Sequence, residues 1–196
     1  MRMPGHLLHG RLLHGNVPRA FRGRSSRFYD VVARTVLRRV YRTLAQDIAG
    51  AAPRDAAVLD IGTGPGVLLV ELARLRPDLR LTGIDLSPDM VTAARKNVAG
   101  RATVQVADVT HLPFADDSFD LVVSSLSLHH WDDPDGAVPE LARVLREGGS
   151  VRIYDFRFAP FEKLNTGPLG TGEPQRTTIR SGAPPFHRFV RFVLSP

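Results

Sequence analysis

Between residues 57 and 156 the chain alternates short apolar runs with segments of helical period: AVLDI, PGVLLVELARLR, LRLTGID, SPDMVTAARKNVAG, ATVQVAD, FDLVVSSL, a helix through ELARVLREGG, and SVRIYDF. The apolar runs have strand length, and a helix between successive strands returns the chain so that the next strand runs parallel to the last. The alternation predicts a parallel sheet wrapped by helices through right-handed crossovers. Helix ends are marked locally. Ser87, Pro88 and Asp89 supply an N-cap, a first-turn proline and an acid at the positive end of the dipole, and Gly100 and Gly148 stand where helices stop. Gly136 and Pro139 interrupt the helix after the fourth strand, which places its start near Val138 with Pro139 in the first turn.

The flanks have a different rhythm. Residues 26–50 space Val32, Val36, Val40, Leu44 and Ile48 four apart with arginines between them, the pattern of an amphipathic helix. Residues 1–25 contain no acid and a short echo, HLLHG then RLLHG, and read as a disordered basic arm rather than a targeting leader. Residues 157–174 are broken by proline and glycine, after which QRTTIRSG and HRFVRFVLS alternate about a turn-rich GAPPF and predict a closing antiparallel hairpin. The expected organisation is an arm over 1–25, a helix over 26–50 and one domain over 51–196.

Composition narrows the chemistry. The chain has no cysteine, which removes disulfides, thiolate zinc sites and a cysteine nucleophile. No apolar run approaches the roughly 20 residues needed to span a bilayer, so the expectation is a soluble, cytoplasmic protein. Residues 1–50 carry ten arginines against two acids, 51–150 nine bases against fifteen acids, and 151–196 seven against three. The basic ends admit a nucleic-acid partner. A bias of 24 arginines among 26 basic residues also follows from GC-rich coding.

In VLDIGTGPG, Gly62, Gly64 and Gly66 follow a strand and open a helix, where backbone can approach a nucleotide-type ligand. The dinucleotide pattern G-x-G-x-x-G fails, because Val67 stands three after Gly64, and no lysine and hydroxyl follow to make a P-loop. Asp60 beside the loop would repel a pyrophosphate and favour a ligand bearing an ammonium and a sulfonium. In its D-x-G-x-G-x-G form the stretch resembles the first motif of class I S-adenosylmethionine-dependent methyltransferases, and the resemblance covers about 55–156.

That resemblance implies a Rossmann-like, doubly wound α/β fold of three layers, with seven strands, mostly parallel, and an antiparallel last strand. It implies S-adenosyl-L-methionine as cofactor, with S-adenosyl-L-homocysteine as product. Asp60, Gly62, Thr63, Gly64 and Gly66 form the loop, and Asp85 in LTGIDLS would accept the ribose hydroxyls with Leu86 on the adenine ring. Asp108 in VQVAD resembles the acid that receives the adenine amino group, with the Val109 backbone nearby. Ser124 and Ser125 would lie under the methionine moiety, and Tyr29 in RFYDVVA resembles a tyrosine placed over the cofactor.

The sulfonium makes the methyl group electrophilic by itself, so no fixed catalytic residue is required. His129 and His130 in SLSLHHWDDPD are the candidates for a general base, with loop packing as their alternative role. Asp132, Asp133 and Asp135 read as a helix start rather than a metal site. The leading expectation is a methyltransferase of the small-molecule group that includes quinone-biosynthesis methylases, its pocket completed by a loop or a homodimer. An RNA methyltransferase using the basic arm, a nicotinamide-dependent oxidoreductase and a noncatalytic cofactor-binding partner protein remain as alternatives.

Overall fold

The computed structural model describes residues 38–164, 167–169, 174–180 and 188–195. Seven strands form one sheet: β1 (Ala57–Ile61), β2 (Arg80–Asp85), β3 (Thr103–Val106), β4 (Phe119–Ser125), β5 (Leu145–Asp155), β6 (Gln175–Arg180) and β7 (Arg188–Leu194). Their order is β3-β2-β1-β4-β5-β7-β6. β1 to β5 pair in parallel, whereas β7 runs antiparallel to both β5 and β6. The sheet and its closing hairpin are those the alternation and the resemblance imply.

Helices α1 (Arg38–Ala51), α2 (Val67–Leu75) and α3 (Pro88–Val98) cover one face, and α4 (Pro134–Val144) the other. Along β1 the side chains alternate, Val58 joining Leu44, Ile48, Leu68 and Val91 while Leu59 and Ile61 join Leu128, Val138 and Leu141. The broken 157–174 stretch contributes two short 3₁₀ turns, Phe161–Leu164 and Gly167–Leu169. Their Phe161, Leu164 and Leu169 are buried in the α4 layer. α1 is the described part of the amphipathic helix expected over 26–50; Tyr29 and the arm lie outside the described residues.

Two boundaries differ from the sequence reading. α4 starts at Pro134, not near Val138, because Asp133 caps it by accepting the Gly136 N–H at 2.9 Å and Pro134 occupies the first turn. A side chain at 136 would overlap the capping carboxylate. Pro139 therefore lies inside the helix, which forgoes one internal hydrogen bond. The same helix ends at Val144 rather than running through to Gly148. Residues 145–149 instead begin β5 with a register shift, Phe119 pairing with Leu145 and Leu121 with Ser150. Arg146 anchors the irregular stretch to the Asp117 carbonyl at 2.9 Å and to Asp120 at 2.8 Å.

Candidate active site

The C-terminal ends of the first strands open onto a cleft of about 590 Å³, where the order reverses between β1 and β4. The glycine loop forms its floor. Gly66, at φ 76°, starts α2 where a Cβ would lie 3.1 Å from Ala94 of α3, so the two helices meet here only through a glycine. Gly64 lines the cleft and donates its N–H to Asp85 Oδ2 at 2.8 Å, while Asp85 Oδ1 accepts from Ser87 at 2.9 Å. Each oxygen of Asp85 thus keeps acceptor capacity for a ligand. Burial raises its pKa above the ordinary carboxylate value, against these two amide bonds.

Leu86 and Val109 form apolar walls, Leu86 being 45% exposed. Asp108 stands on the rim. Its Oδ1 accepts both the N–H and the hydroxyl of Thr110, at 2.9 and 2.8 Å, leaving Oδ2 with no partner among the described residues. The loop carrying Asp108 and Val109 is held from behind by Arg143, which donates to the carbonyls of Leu112 and Phe114 and to Asp116 and Glu140 at 2.7–3.0 Å. Arg143→Ala strips the donors from two carbonyls, and a lower Tm with weaker adenosylhomocysteine binding is expected from thermal melts and calorimetry.

Asp60 and Thr63 do not reach the cleft. The alternation that turns Leu59 and Ile61 to one face turns Asp60 to the other, under the loop, where it is 0% exposed and its Oδ2 accepts the Thr63 hydroxyl at 2.7 Å. Its Oδ1 is buried with no hydrogen-bond partner among the described residues. Burial pushes the Asp60 pKa up to about 7; the Thr63 bond lowers it and the nearby Asp85 charge raises it. Gly83, opposite Asp60 in the sheet, leaves the room that Thr63 and Leu69 fill. Ser124 and Ser125 also lie behind the wall, buried within β4, and it is Leu126 and Ser127 that face the ligand space.

His129 and His130 occupy a 3₁₀ turn, Leu128–His130, and both line the cleft. His129 Nδ1 lies 2.7 Å from Asp155 Oδ1, and the His129 backbone N–H donates to Asp155 Oδ2 at 3.1 Å. Asp155 accepts a third N–H, from Phe156 at 2.7 Å, and is 0% exposed. Three N–H donors suit an acceptor-only carboxylate, which assigns the ring proton to Nδ1 and leaves Nε2 as the open acceptor. Burial, then the neighbouring His129, lower the His130 pKa, and Asp155 opposes them. Phe156 and Phe158 stack at 5.4 Å beside His129, and Phe158 is 74% exposed.

Residues 59–153 match the family model described as a methyltransferase domain. The ubiquinone/menaquinone biosynthesis C-methyltransferase UbiE of Geotalea daltonii is 35% identical over 148 residues, 69% of this chain and 63% of that protein. Residues 59–153 are a methyltransferase domain of the class I S-adenosylmethionine-dependent kind. A demethylmenaquinone methyltransferase of Roseiflexus castenholzii is 41% identical over 120 residues, covering 61% of this chain and 50% of that one. The chain therefore spans between half and two thirds of the length of these two curated relatives. The crystal structure of an S-adenosylmethionine-dependent methyltransferase from Aquifex aeolicus shares the fold, with a TM-score of 0.65 at 20% identity over 86% of this chain and 96% of that one.

The cofactor of this family is S-adenosylmethionine, and the cleft of this methyltransferase domain fits it on its own chemistry. Acceptors at Asp85 and Asp108 suit hydroxyl and amino hydrogens, the walls at Leu86 and Val109 suit a flat base, and a cation above the loop would favour ionisation of the buried Asp60 carboxyl, whose Oδ1 has no partner among the described residues. Sequence reasoning missed Ser127, Trp131 and Asp155. Asp155 had a signal: like Asp85, it is an acid closing an apolar strand. Among the described residues no cluster of three or more metal-type ligands occurs, and no helix is long and apolar enough to cross a membrane.

Proposed function

We propose that this chain is an enzyme that transfers the methyl group of S-adenosylmethionine to a small-molecule acceptor by in-line displacement, with His129 as general base. The observation that carries the reading is the 2.7 Å contact between His129 Nδ1 and Asp155 Oδ1 on the wall of the cofactor cleft. When bound, the cofactor supplies a methyl carbon already made electrophilic by its sulfonium. What remains for the chain is to align a nucleophile at roughly 3 Å and to remove its proton. Asp155 holds the imidazole with Nδ1 protonated, so Nε2 can take that proton and the imidazolium that forms is stabilised by the buried carboxylate. Asp85 would hold the ribose hydroxyls, Leu86 and Val109 the base and Asp108 its amino group. The stacked Phe156 and Phe158 beside His129 offer a flat apolar shelf for a planar acceptor, in keeping with the quinone-pathway names of the two curated relatives.

The test is incubation of the purified protein with methyl-labelled cofactor and a panel of phenols, hydroquinones, carboxylic acids, amines and RNA, read by mass spectrometry. Labelled product from a hydroxyl-bearing small molecule is expected. Transfer only to amines or to RNA would reject the reading, and cofactor binding without turnover on any class would favour a partner-protein role. Asp85→Ala should weaken adenosylhomocysteine by about 2 kcal/mol, near thirtyfold, through the loss of charge-assisted bonds. Unchanged affinity by calorimetry would remove Asp85 from the ribose site.

A further inference from the structure

The closing hairpin sets two arginines face to face. Arg180 ends β6 and Arg188 begins β7, and the two are directly opposite each other in the antiparallel ladder. Like charges at such a pair repel. Arg76, Arg143, Arg146 and Arg191 each pair with a carboxylate, but Arg180 and Arg188 are exposed and pair with none among the described residues. Two guanidinium groups opposed in this way, with no acid between them, offer paired donors and a doubled positive charge, which a carboxylate or a phosphate would complete.

Topology puts the pair at the edge onto which the cleft opens. β7 runs antiparallel to β5 and β6 antiparallel to β7, so the start of β7 and the end of β6 lie where β5 ends. Val190 is directly opposite Asp155, the partner of His129, and Arg188 stands two residues farther out on the same face. With strands about 4.8 Å apart and a rise of about 3.4 Å per residue, the Arg188 and Arg180 Cα atoms stand roughly 8 and 12 Å from that of Asp155. Aromatic contacts span the same interval. The Phe156 ring is 5.3 Å from that of His129 and 5.6 Å from that of Phe189, the residue after Arg188. Arg157, exposed between the stacked Phe156 and Phe158 in sequence, adds a third positive charge to this edge.

We propose that Arg180 and Arg188 form an anion-binding subsite that selects acceptors carrying a carboxylate or a phosphate at the end remote from the hydroxyl to be methylated. The hydroxyl then meets His129 Nε2, the body of the acceptor lies on Phe156 and Phe158, and the anionic end reaches the two guanidinium groups. The inference rests on the small-molecule reading above, to which it adds the charge of the substrate.

The test uses the full chain and matched acceptors that differ only in the remote group: 4-hydroxycinnamic acid and its amide, and 6-hydroxy-2-naphthoic acid and its amide. Titrated by calorimetry into the protein saturated with adenosylhomocysteine, each acid should bind about tenfold or more tightly than its amide, an advantage that shrinks as salt is raised. In Arg180→Gln/Arg188→Gln the ratio of acid to amide affinity should fall to about one. Arg180→Lys/Arg188→Lys keeps both charges without the planar forks and should keep a ratio of about threefold. The Gln variant should melt no lower than the wild type, because it relieves two opposed like charges. With methyl-labelled cofactor, the acid-to-amide ratio of kcat/KM should follow the binding ratio.

Acids and amides that bind the wild type alike, or a ratio that survives the Gln substitutions, would overturn the subsite, and neutral phenols methylated in the same assay would leave the small-molecule reading standing. Weaker retention of the Gln variant on RNA or on phosphatidylglycerol vesicles, with no acid preference in the wild type, would also overturn it and move the pair to a macromolecular surface. A wild type that prefers the acids but methylates none of the hydroxyls would keep the anion subsite and reject the hydroxyl as methyl destination.

Discussion

Asp155→Asn is expected to lower kcat for methyl transfer by roughly a hundredfold to ten-thousandfold, the range removed when a positioned general base is lost. The substitution keeps the size of the side chain, and an amide oxygen at the Oδ2 position can still accept the His129 backbone N–H held at 3.1 Å, while an amide nitrogen at the Oδ1 position gives up the Phe156 N–H held at 2.7 Å. What it cannot keep is the acceptor-only carboxylate facing His129 Nδ1 at 2.7 Å. An amide N–H turned to Nδ1 makes that nitrogen the acceptor and moves the ring proton to Nε2, where the acceptor's proton has to go. His129→Gln should cost about as much as Asp155→Asn, and the double variant little more than either, because the two act as one unit. Adenosylhomocysteine affinity should change by no more than about twofold in all three. A large loss of affinity would reassign the pair to packing, and unchanged kcat would show that the acceptor loses its proton without help.

The parts of this protein that depend on local chemistry were legible in the sequence; those that depend on strand neighbours were not. Ser87 and Pro88 begin α3, and the two alternating runs near the C-terminus form the β6/β7 hairpin, because caps and alternation act over a few residues. The end of α4 was misplaced because LREGG has helical composition. Only the pairing of Leu145 with Phe119 makes it strand. Asp60 was placed beside the ligand by its proximity to the glycines. Strand alternation, which is equally local, points it beneath the loop, buried and out of reach of the cleft. Ser124 and Ser125, which the resemblance puts under the methionine moiety, are buried within β4, and after the left-handed turn at Leu126 it is Ser127 that lines the cleft. The His129–Asp155 pair joins residues 26 apart in sequence. It becomes visible once β4 and β5 are known to be parallel neighbours with Ser125 opposite Tyr154, which brings the two strand ends side by side.

The buried carboxyl of Asp60 leads to a second large effect, in which stability and binding move in opposite directions. Its folded pKa is about 7 against an ordinary 3.8, so between those values the unfolded chain ionises this group while the folded one keeps it protonated. The sign follows: stability from this group is fully present below pH 4 and declines as pH rises toward 7, by up to about 4 kcal/mol if the whole shift is expressed. Asp60→Asn cannot ionise, and its amide oxygen can still accept the Thr63 hydroxyl. The ligand-free variant should therefore match the wild type near pH 4 and exceed its stability by a margin that widens to pH 8, as read from paired urea titrations across that range. The cofactor brings cationic charge above the loop, which favours the ionised carboxylate, so binding to the wild type near pH 6.5 should release protons and should show different apparent enthalpies in buffers of different ionisation enthalpy. In Asp60→Asn that buffer dependence should vanish and affinity for S-adenosylmethionine should fall more than affinity for its uncharged-sulfur product, because only the former carries the sulfonium. A variant that gains no stability at pH 8, or that loses affinity equally for both compounds, would show that Asp60 is not a charge held in reserve beneath the glycines but a packing group of the loop.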